Sequence, residues 1–372
     1  KNLKNTIQKT EFLLNIICFL SYPLSFLDFL KNFIMEIFIK SFNRPYYLDR
    51  CLQSIENFVE GNFWVKVLDD GTPEKYLQKI KEKHPKVEII TSKNYQNKIA
   101  AIAENLKSGK EIDGFSIPTD LWYSAAKNAS EYFIMTEDDV WFTQKINVNA
   151  LQETCNQNKI SLLKLGWLGN NKDDEWTVIS EISEVINRVH PKDLLLFPEF
   201  INDLFFYNKF KFFTILYKLG VVDNTTKRKY WALNSILMGF WQKEYWLHIW
   251  KDAKGKVDEK QQLRNASNFY KKNRNNPNFL AKLNSEVMKT TFQSSATNSY
   301  HQYGDDFDVN YFNHLINEAW YNGAFDEMQN FPKDFSLEYF EKFLDSKINK
   351  IAFKNWVSKF KSQYRNLGCK VD

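Results

Sequence analysis

The sequence predicts an α/β fold: a Rossmann-like, mostly parallel sheet flanked by helices. Two features of the chain point there. Short runs rich in aromatic and β-branched residues alternate with segments of helical spacing from residue 35 to residue 136, and a polar loop follows most of the runs. A third feature is composition. An apolar share of 44% and an aromatic share of 16% over 372 residues supply a large core and argue against disorder.

The elements follow in order. "EIFIKSF" (36–42) reads as the first strand. "RPYYLDRCLQSIENF" (44–58) sets Leu48, Leu52 and Ile55 on one helical face, with Asn43 as the expected cap and Pro45 in the first turn. "FWVKVLDDG" (63–71) is a second strand running into a turn, "PEKYLQKIKEKH" (73–84) a helix and "KVEIITS" (86–92) a third strand. "KIAAIAENLKSG" (98–109) and "TDLWYSAAKNAS" (119–130) have helical spacing, and "EYFIMT" (131–136) is the fourth strand. Right-handed crossovers bring the C-terminal ends of parallel strands to one edge, where open α/β sheets bind ligands. Three polar loops thereby converge: Ser41-Phe42-Asn43-Arg44, Asp69-Asp70-Gly71-Thr72 and Glu137-Asp138-Asp139.

Several function classes lose support. The net charge of +5 is mild and suits a cytoplasmic enzyme of an anionic substrate, without the clustered basic elements of a nucleic-acid binder. Cys18, Cys51, Cys155 and Cys369 are far apart and form no C-x-x-C pair, so they indicate neither zinc nor a disulfide framework. None of the twelve glycines forms a dinucleotide or P-loop fingerprint. The apolar stretch 11–30 is interrupted by Asn15, Pro23 and Asp28, whereas a spanning helix wants about 20 mostly apolar residues. Residues 1–34 therefore read as an extension, either a packed helix, a membrane-associated one or a non-native leader, with Met35 as a candidate start.

Three adjacent acids at the end of a buried strand repel one another. A divalent cation resolves the conflict, since Mg²⁺ and Mn²⁺ prefer oxygen ligands and share one or two carboxylates with substrate phosphates. The alternative is a helix cap or a solvated loop. Asp69-Asp70-Gly71 reads as a tight turn or, functionally, as a site where Asp70 accepts a hydrogen bond from a base N–H.

The stretches "IFIKSFNRPYYLDRCLQSI", "VKVLDDGTPE" and "EYFIMTEDDVWF", at these separations, resemble the nucleotide-sugar half of family-2-type glycosyltransferases with the GT-A fold. The resemblance covers about residues 36–142. It implies that Ser41, Phe42, Asn43, Arg44, Asp70, Lys98 and Asp138 hold the nucleotide sugar. It also implies a D-x-D-type motif in which Asp139, with Glu137 and a late His301, binds Mn²⁺ or Mg²⁺. Lys40 departs from the small polar residue usual in the family, and Glu137 is an unusual opening to the triplet. The implied activity is metal-dependent, inverting transfer of a sugar from a nucleotide-diphosphate donor, UDP-sugar favoured, to the hydroxyl of a glycan or lipid-linked acceptor. Such activity serves cell-surface or extracellular polysaccharide or glycoconjugate synthesis. A sugar-phosphate nucleotidyltransferase and a non-catalytic module of the same fold are the rival readings.

Beyond residue 142 the likeness thins to an acceptor-side half, 146–330, expected to be mainly helical and aromatic-rich behind a nucleotide half at 35–145. "KISLLKLGWLGN" (159–170) reads as a strand, and "ALNSILMGFWQKEYWLHIW" (232–250) resembles the family's acceptor-side strand, turn and helix. The candidate bases are Asp258 and Glu259, opening the next helix, and Asp305 and Asp306 in the polar run 294–312. The aromatic stretch 197–220 reads as a hairpin or helix packed on the core, with a lipid or acceptor surface as the alternative. In the tail (331–372), a basic amphipathic helix reads either as packed on its own domain or as resting on the inner face of an anionic membrane.

Overall fold

The computed structural model describes residues 34–109, 116–170, 175–295 and 307–371. The apolar stretch 11–30, His301, Asp305 and Asp306 lie outside the described residues. In chain order the first elements are β1 (Met35–Ser41), α1 (Pro45–Phe58), β2 (Val59–Glu60), β3 (Phe63–Asp69), α2 (Glu74–Lys83), β4 (Glu88–Thr91), α3 (Tyr95–Ser108), α4 (Thr119–Lys127), β5 (Tyr132–Glu137), β6 (Val140–Phe142), β7 (Ile146–Asn147), α5 (Val148–Asn158) and β8 (Leu162–Lys164). Then come β9 (Thr177–Ser183), β10 (Ile186–Pro191), α6 (Glu199–Tyr207), α7 (Phe212–Lys218), β11 (Gly239–Gln242), α8 (Lys243–Trp250), α9 (Glu259–Asn273), β12 (Leu280–Leu283), β13 (Met288–Thr290), α10 (Val309–Tyr321), α11 (Leu337–Glu341) and α12 (Lys350–Leu367).

Nine strands form the main sheet in the order β4-β3-β1-β5-β11-β8-β12-β10-β9. Within it only β11 and β10 run against the others, so the sheet is mostly parallel. Both faces are covered because the strands are apolar on both faces. Met35, Ile37 and Ile39 of β1, with Tyr132 and Ile134 of β5, enter a core shared with α1, α10 and α12. Phe38, Phe133 and Met135 enter a second core with Trp122 of α4, Trp246 of α8 and Leu263 of α9. This is the two-residue alternation of a strand read on both sides.

The second half contributes five of the nine strands, β8 to β12, alongside its aromatic helices. The hairpin β9–β10, β12 and β13 have no counterpart in the sequence reading. Tail helix α12 turns Ala352, Phe353, Trp356 and Val357 inward, and Phe353 packs on Phe307, Phe312 and Phe340. Its apolar face is thus spent on its own domain. Among the described residues no helix is long and apolar enough to cross a membrane.

Buried charge ties the first two helices together. Asp49 of α1 is fully buried, and it accepts from Trp320 Nε1 at 2.7 Å and from Lys83. His84, just past α2, lies with Nε2 2.8 Å from Asp49 and Nδ1 2.8 Å from Glu56. Burial alone would lower its pKa, but the two carboxylates win and raise it. A raised histidine contributes stability that is complete below the ordinary value of about 6.5 and is lost as pH rises through the folded value. The melting temperature of the wild type should therefore fall more steeply above pH ~6.5 than that of His84→Gln. Thermal melts of both proteins at half-unit pH steps check this, and parallel curves would refute it.

Candidate active site

The C-terminal edge of the parallel strands is stitched together by the backbone. Register sets Ser41 beside Asp69 and Lys40 beside Glu137. Asp70 N donates to Ser41 O at 3.0 Å, and Asp138 N donates to Lys40 O at 2.9 Å. Phe42 N donates to Asp138 Oδ2 at 3.1 Å. The three polar loops are therefore brought together, as parallel strand order requires.

Asn43 does not cap α1. It sits in the left-handed region at φ 51°, where its N–H reaches Thr72 Oγ1 at 2.8 Å, and Asn317 Nδ2 donates to its carbonyl at 3.1 Å. Arg44 takes the N-cap place without any side-chain cap, since a guanidinium has only donors and cannot accept from the first N–H groups of the helix. Nη2 donates to Asp138 Oδ1 at 2.5 Å and Nη1 to Asp139 Oδ2 at 2.8 Å. Arg44 is 4% exposed and Asp138 1% exposed, so this fork is dry. Burial works against the guanidinium's charge, yet Asp138 and Asp139 more than offset it and raise its pKa. Burial pushes Asp138 up to about 7, with Arg44 opposing, and pushes Asp139 up as well. Glu137 is drawn to the neighbouring strand, with Lys40 Nζ at 2.6 Å, and Lys40 in turn lies 4.8 Å over the Trp122 ring.

These contacts revise the account of the triplet. The sequence reading has a divalent ion as the charge that makes three adjacent acids tolerable, but much of that charge comes from Lys40 and Arg44 of the chain itself. Two cations against three carboxylates leave one negative charge over. Among the described residues no group of three or more His, Cys, Asp or Glu is arranged as a metal site. One feature fits a metal: Asp139 Oδ1 is buried and has no hydrogen-bond partner. A desolvated carboxylate oxygen with nothing to accept from is costly, and one such oxygen suffices for an ion whose other ligands are waters and phosphates.

The two aspartates of the second loop divide their work. Asp69 is fully buried and accepts from Gly71 N at 3.0 Å, Thr72 N at 2.8 Å and Thr72 Oγ1 at 2.6 Å. Burial pushes its carboxyl up to about 6 against those bonds, and its role is to build the turn. Asp70 projects instead to Lys98 of α3, whose ammonium also donates to Ser116 O at 3.0 Å. Gly71 adopts φ +148°, and a Cβ there would come within 2.9 Å of both the Phe42 ring and Lys98 Cβ. Only glycine fits.

Ser116 links this cluster to the loop before α9. Ile117 N donates to Gly255 O at 2.7 Å and Gly255 N donates to Thr119 Oγ1 at 2.9 Å. The same loop carries Asp258, the N-cap of α9, whose Oδ1 accepts from Gln261 N at 3.1 Å. Its other oxygen takes the Tyr207 hydroxyl at 3.3 Å. Glu259 is more exposed, and partial desolvation, then Asp258, raise its pKa. Sequence reasoning placed Thr72 in a converging loop without giving it a role, and missed Ser116 and Asn317. The D-D-G-T turn held a signal for Thr72, whereas Ser116 and Asn317 come from distant segments with none.

No family model matches the chain, and no curated protein matches it. Solved structures similar to it include TarS 1-349 of S. aureus in complex with UDP-GlcNAc, at 12% identity and TM-score 0.39 over 89% of this chain and 91% of that one. Another is glucosyl-3-phosphoglycerate synthase from Mycobacterium tuberculosis with Mn²⁺, UDP and glucosyl-3-phosphoglycerate, at 10% identity and TM-score 0.35 over 79% and 81%. A third is an active-site mutant of LgtC, at 15% identity and TM-score 0.26 over 38% and 50%.

Removing the guanidinium strands two buried carboxylates. Arg44→Ala should lower unfolding free energy by roughly 3–5 kcal/mol near pH 8, the usual cost of breaking a buried ion pair. The deficit should shrink toward pH 5, where both acids can be neutral. Urea titrations at the two pH values measure it.

Proposed function

We propose that the protein is a glycosyltransferase that moves a sugar from a nucleotide-diphosphate donor to an acceptor hydroxyl. The observation that carries this reading is the convergence of three loops on one parallel-sheet edge, which brings Phe42, Asp70 and the Asp138-Asp139 pair together. Asp70 and the Phe42 ring would hold the base of a nucleoside, UDP-type donors being the first to test. Asp138, fixed by Arg44 and Phe42 N, would face the ribose. A divalent ion, Mn²⁺ or Mg²⁺, would be held by Asp139 Oδ1 together with the donor's phosphates. When bound, it would stabilise charge on the departing diphosphate.

The acceptor would enter from the side of Gly255 and Asp258, and an exposed glycan or lipid-linked hydroxyl fits such an open approach. Glu259 is the better candidate for general base in a direct, inverting displacement. Both oxygens of Asp258 are already engaged, and Glu259 has its carboxyl shifted toward the range useful for taking a proton.

The experiment is a screen of nucleotide diphosphates and their sugars, with and without Mn²⁺, by thermal shift, followed by detection of released nucleoside diphosphate. A ligand binding only the folded chain raises its melting temperature. Asp139→Ala should abolish the Mn²⁺-dependent part of the shift and the turnover. Full turnover in that variant would refute the site, and pyrophosphate release from a nucleoside triphosphate plus a sugar phosphate would refute the reaction.

The two acids should separate in steady-state kinetics. Glu259→Gln is expected to lower kcat by about 10²- to 10⁴-fold with little change in donor KM, as loss of a general base does. Asp258→Asn should leave kcat within about tenfold, since asparagine caps helices nearly as well as aspartate.

A further inference from the structure

Residues 199–221 leave the sheet as a helical hairpin with two unlike faces. Inward, Phe205 packs on Phe197, Phe206, Phe213 and Tyr230. Outward, Phe200 is 70% exposed, Phe210 88% and Leu219 70%, with Ile215, Tyr217 and Val221 about half exposed beside them. The turn between α6 and α7 holds Asn208, Phe210 and Lys211 at φ 51°, 51° and 57°. Left-handed backbone at a bulky phenylalanine is disfavoured, so the chain bears local strain while presenting an aromatic ring to solvent.

The hairpin holds Lys209, Lys211 and Lys218 beside Glu199 and Asp203. Lys209 is paired with Asp203, Asp203 also meets Arg264, and Glu199 meets Lys251. This leaves Lys211 and Lys218 as the cations on the segment from Phe210 to Val221, a segment without a carboxylate. All three lysines are exposed between the outward apolar side chains. This mixture decides the kind of partner. Cores of protein–protein interfaces are depleted of lysine. Aromatic and aliphatic side chains interleaved with lysine are what an anionic bilayer surface takes up, the rings entering the headgroup boundary and the ammonium groups pairing with lipid phosphate.

We propose that the 199–221 hairpin docks the protein on an anionic lipid surface, with Phe210 and Leu219 inserted and Lys211 and Lys218 at the headgroups. Of the two readings of the tail helix, packing on its own domain is the one that its buried Ala352, Phe353, Trp356 and Val357 support, so the hairpin rather than α12 is the face proposed for lipid. The docking face adjoins the candidate acceptor side: Tyr207, the last residue of α6, bonds Asp258 at the start of α9. An acceptor held at the bilayer would meet that end of the molecule.

The test needs no turnover, so it stands or falls apart from the glycosyl-transfer reading. Binding of the full chain to phosphatidylglycerol-containing and to pure phosphatidylcholine vesicles is measured by flotation, with 0.1 M and 0.5 M salt as further arms. Binding to the anionic vesicles, weakened by salt, is the expected result. Phe210→Ser with Leu219→Ser should reduce it at least about tenfold, and each lysine-to-glutamate change at 211 or 218 about fivefold or more. These positions are exposed, so melting temperature should be unchanged, which separates lost docking from lost folding. Absence of vesicle binding would overturn the proposal. So would equal binding by the variants, or self-association through this face without vesicle binding.

Discussion

The two-pronged contact of Arg44 with Asp138 and Asp139 is the constraint on which the sheet edge depends. A guanidinium is the side chain suited to it: planar, always charged, and able to face two carboxylates at once from a buried position. Its placement determines the rest. Arg44 reaches across to the loop after β5, and Asn43 before it sits in the left-handed region, where it meets Thr72 and Asn317. Pro45 then starts α1 where no N–H is needed, and Tyr46 and Tyr47 are carried into the core.

Much of the stretch from residue 35 to residue 142 could be read directly from the chain. β1, β3, β5 and their intervening helices fall within a few residues of expectation, because apolar runs bounded by Gly, Pro and Asp leave little room for other assignments. The convergence of residues 41–44, 69–72 and 137–139 followed from strand direction alone. What the chain concealed was the charge pairing. Nothing in the spacing of Lys40, Arg44 and Glu137 tells which carboxylate each cation meets, since that depends on register between strands about a hundred positions apart. The second half was harder still. β8 and β11 lie inside stretches read as strands, but β12 is only four residues long, too short for a periodic signal, and nothing local marks β11 as antiparallel between β5 and β8.

Lys98 and Ser116 show how a site can be joined across the chain without a shared motif. The ammonium is divided between Asp70 and the carbonyl of a segment that also holds the loop of Gly255. Gly255 adopts φ +68°, and a Cβ there would lie 2.7 Å from Ser116 Cβ, so the two segments touch at backbone distance. The loop of Asp70 and the loop of Gly255 are one connected polar structure along this seam.

The core also encloses a second arginine, Arg50, and its surroundings bear on where the chain can be cut. It is fully buried on α1, stacked 4.5 Å from the Trp141 ring and 4.6 Å from the Phe335 ring, and it donates to the carbonyls of Glu327, Gln329 and Lys333. The polypeptide around residues 327–335 is thus the solvent of that guanidinium. A fragment ending before it would leave a naked ion in an aromatic box, and the sheet that looks self-sufficient in its first hundred residues would lose the wall that makes its own first helix tolerable.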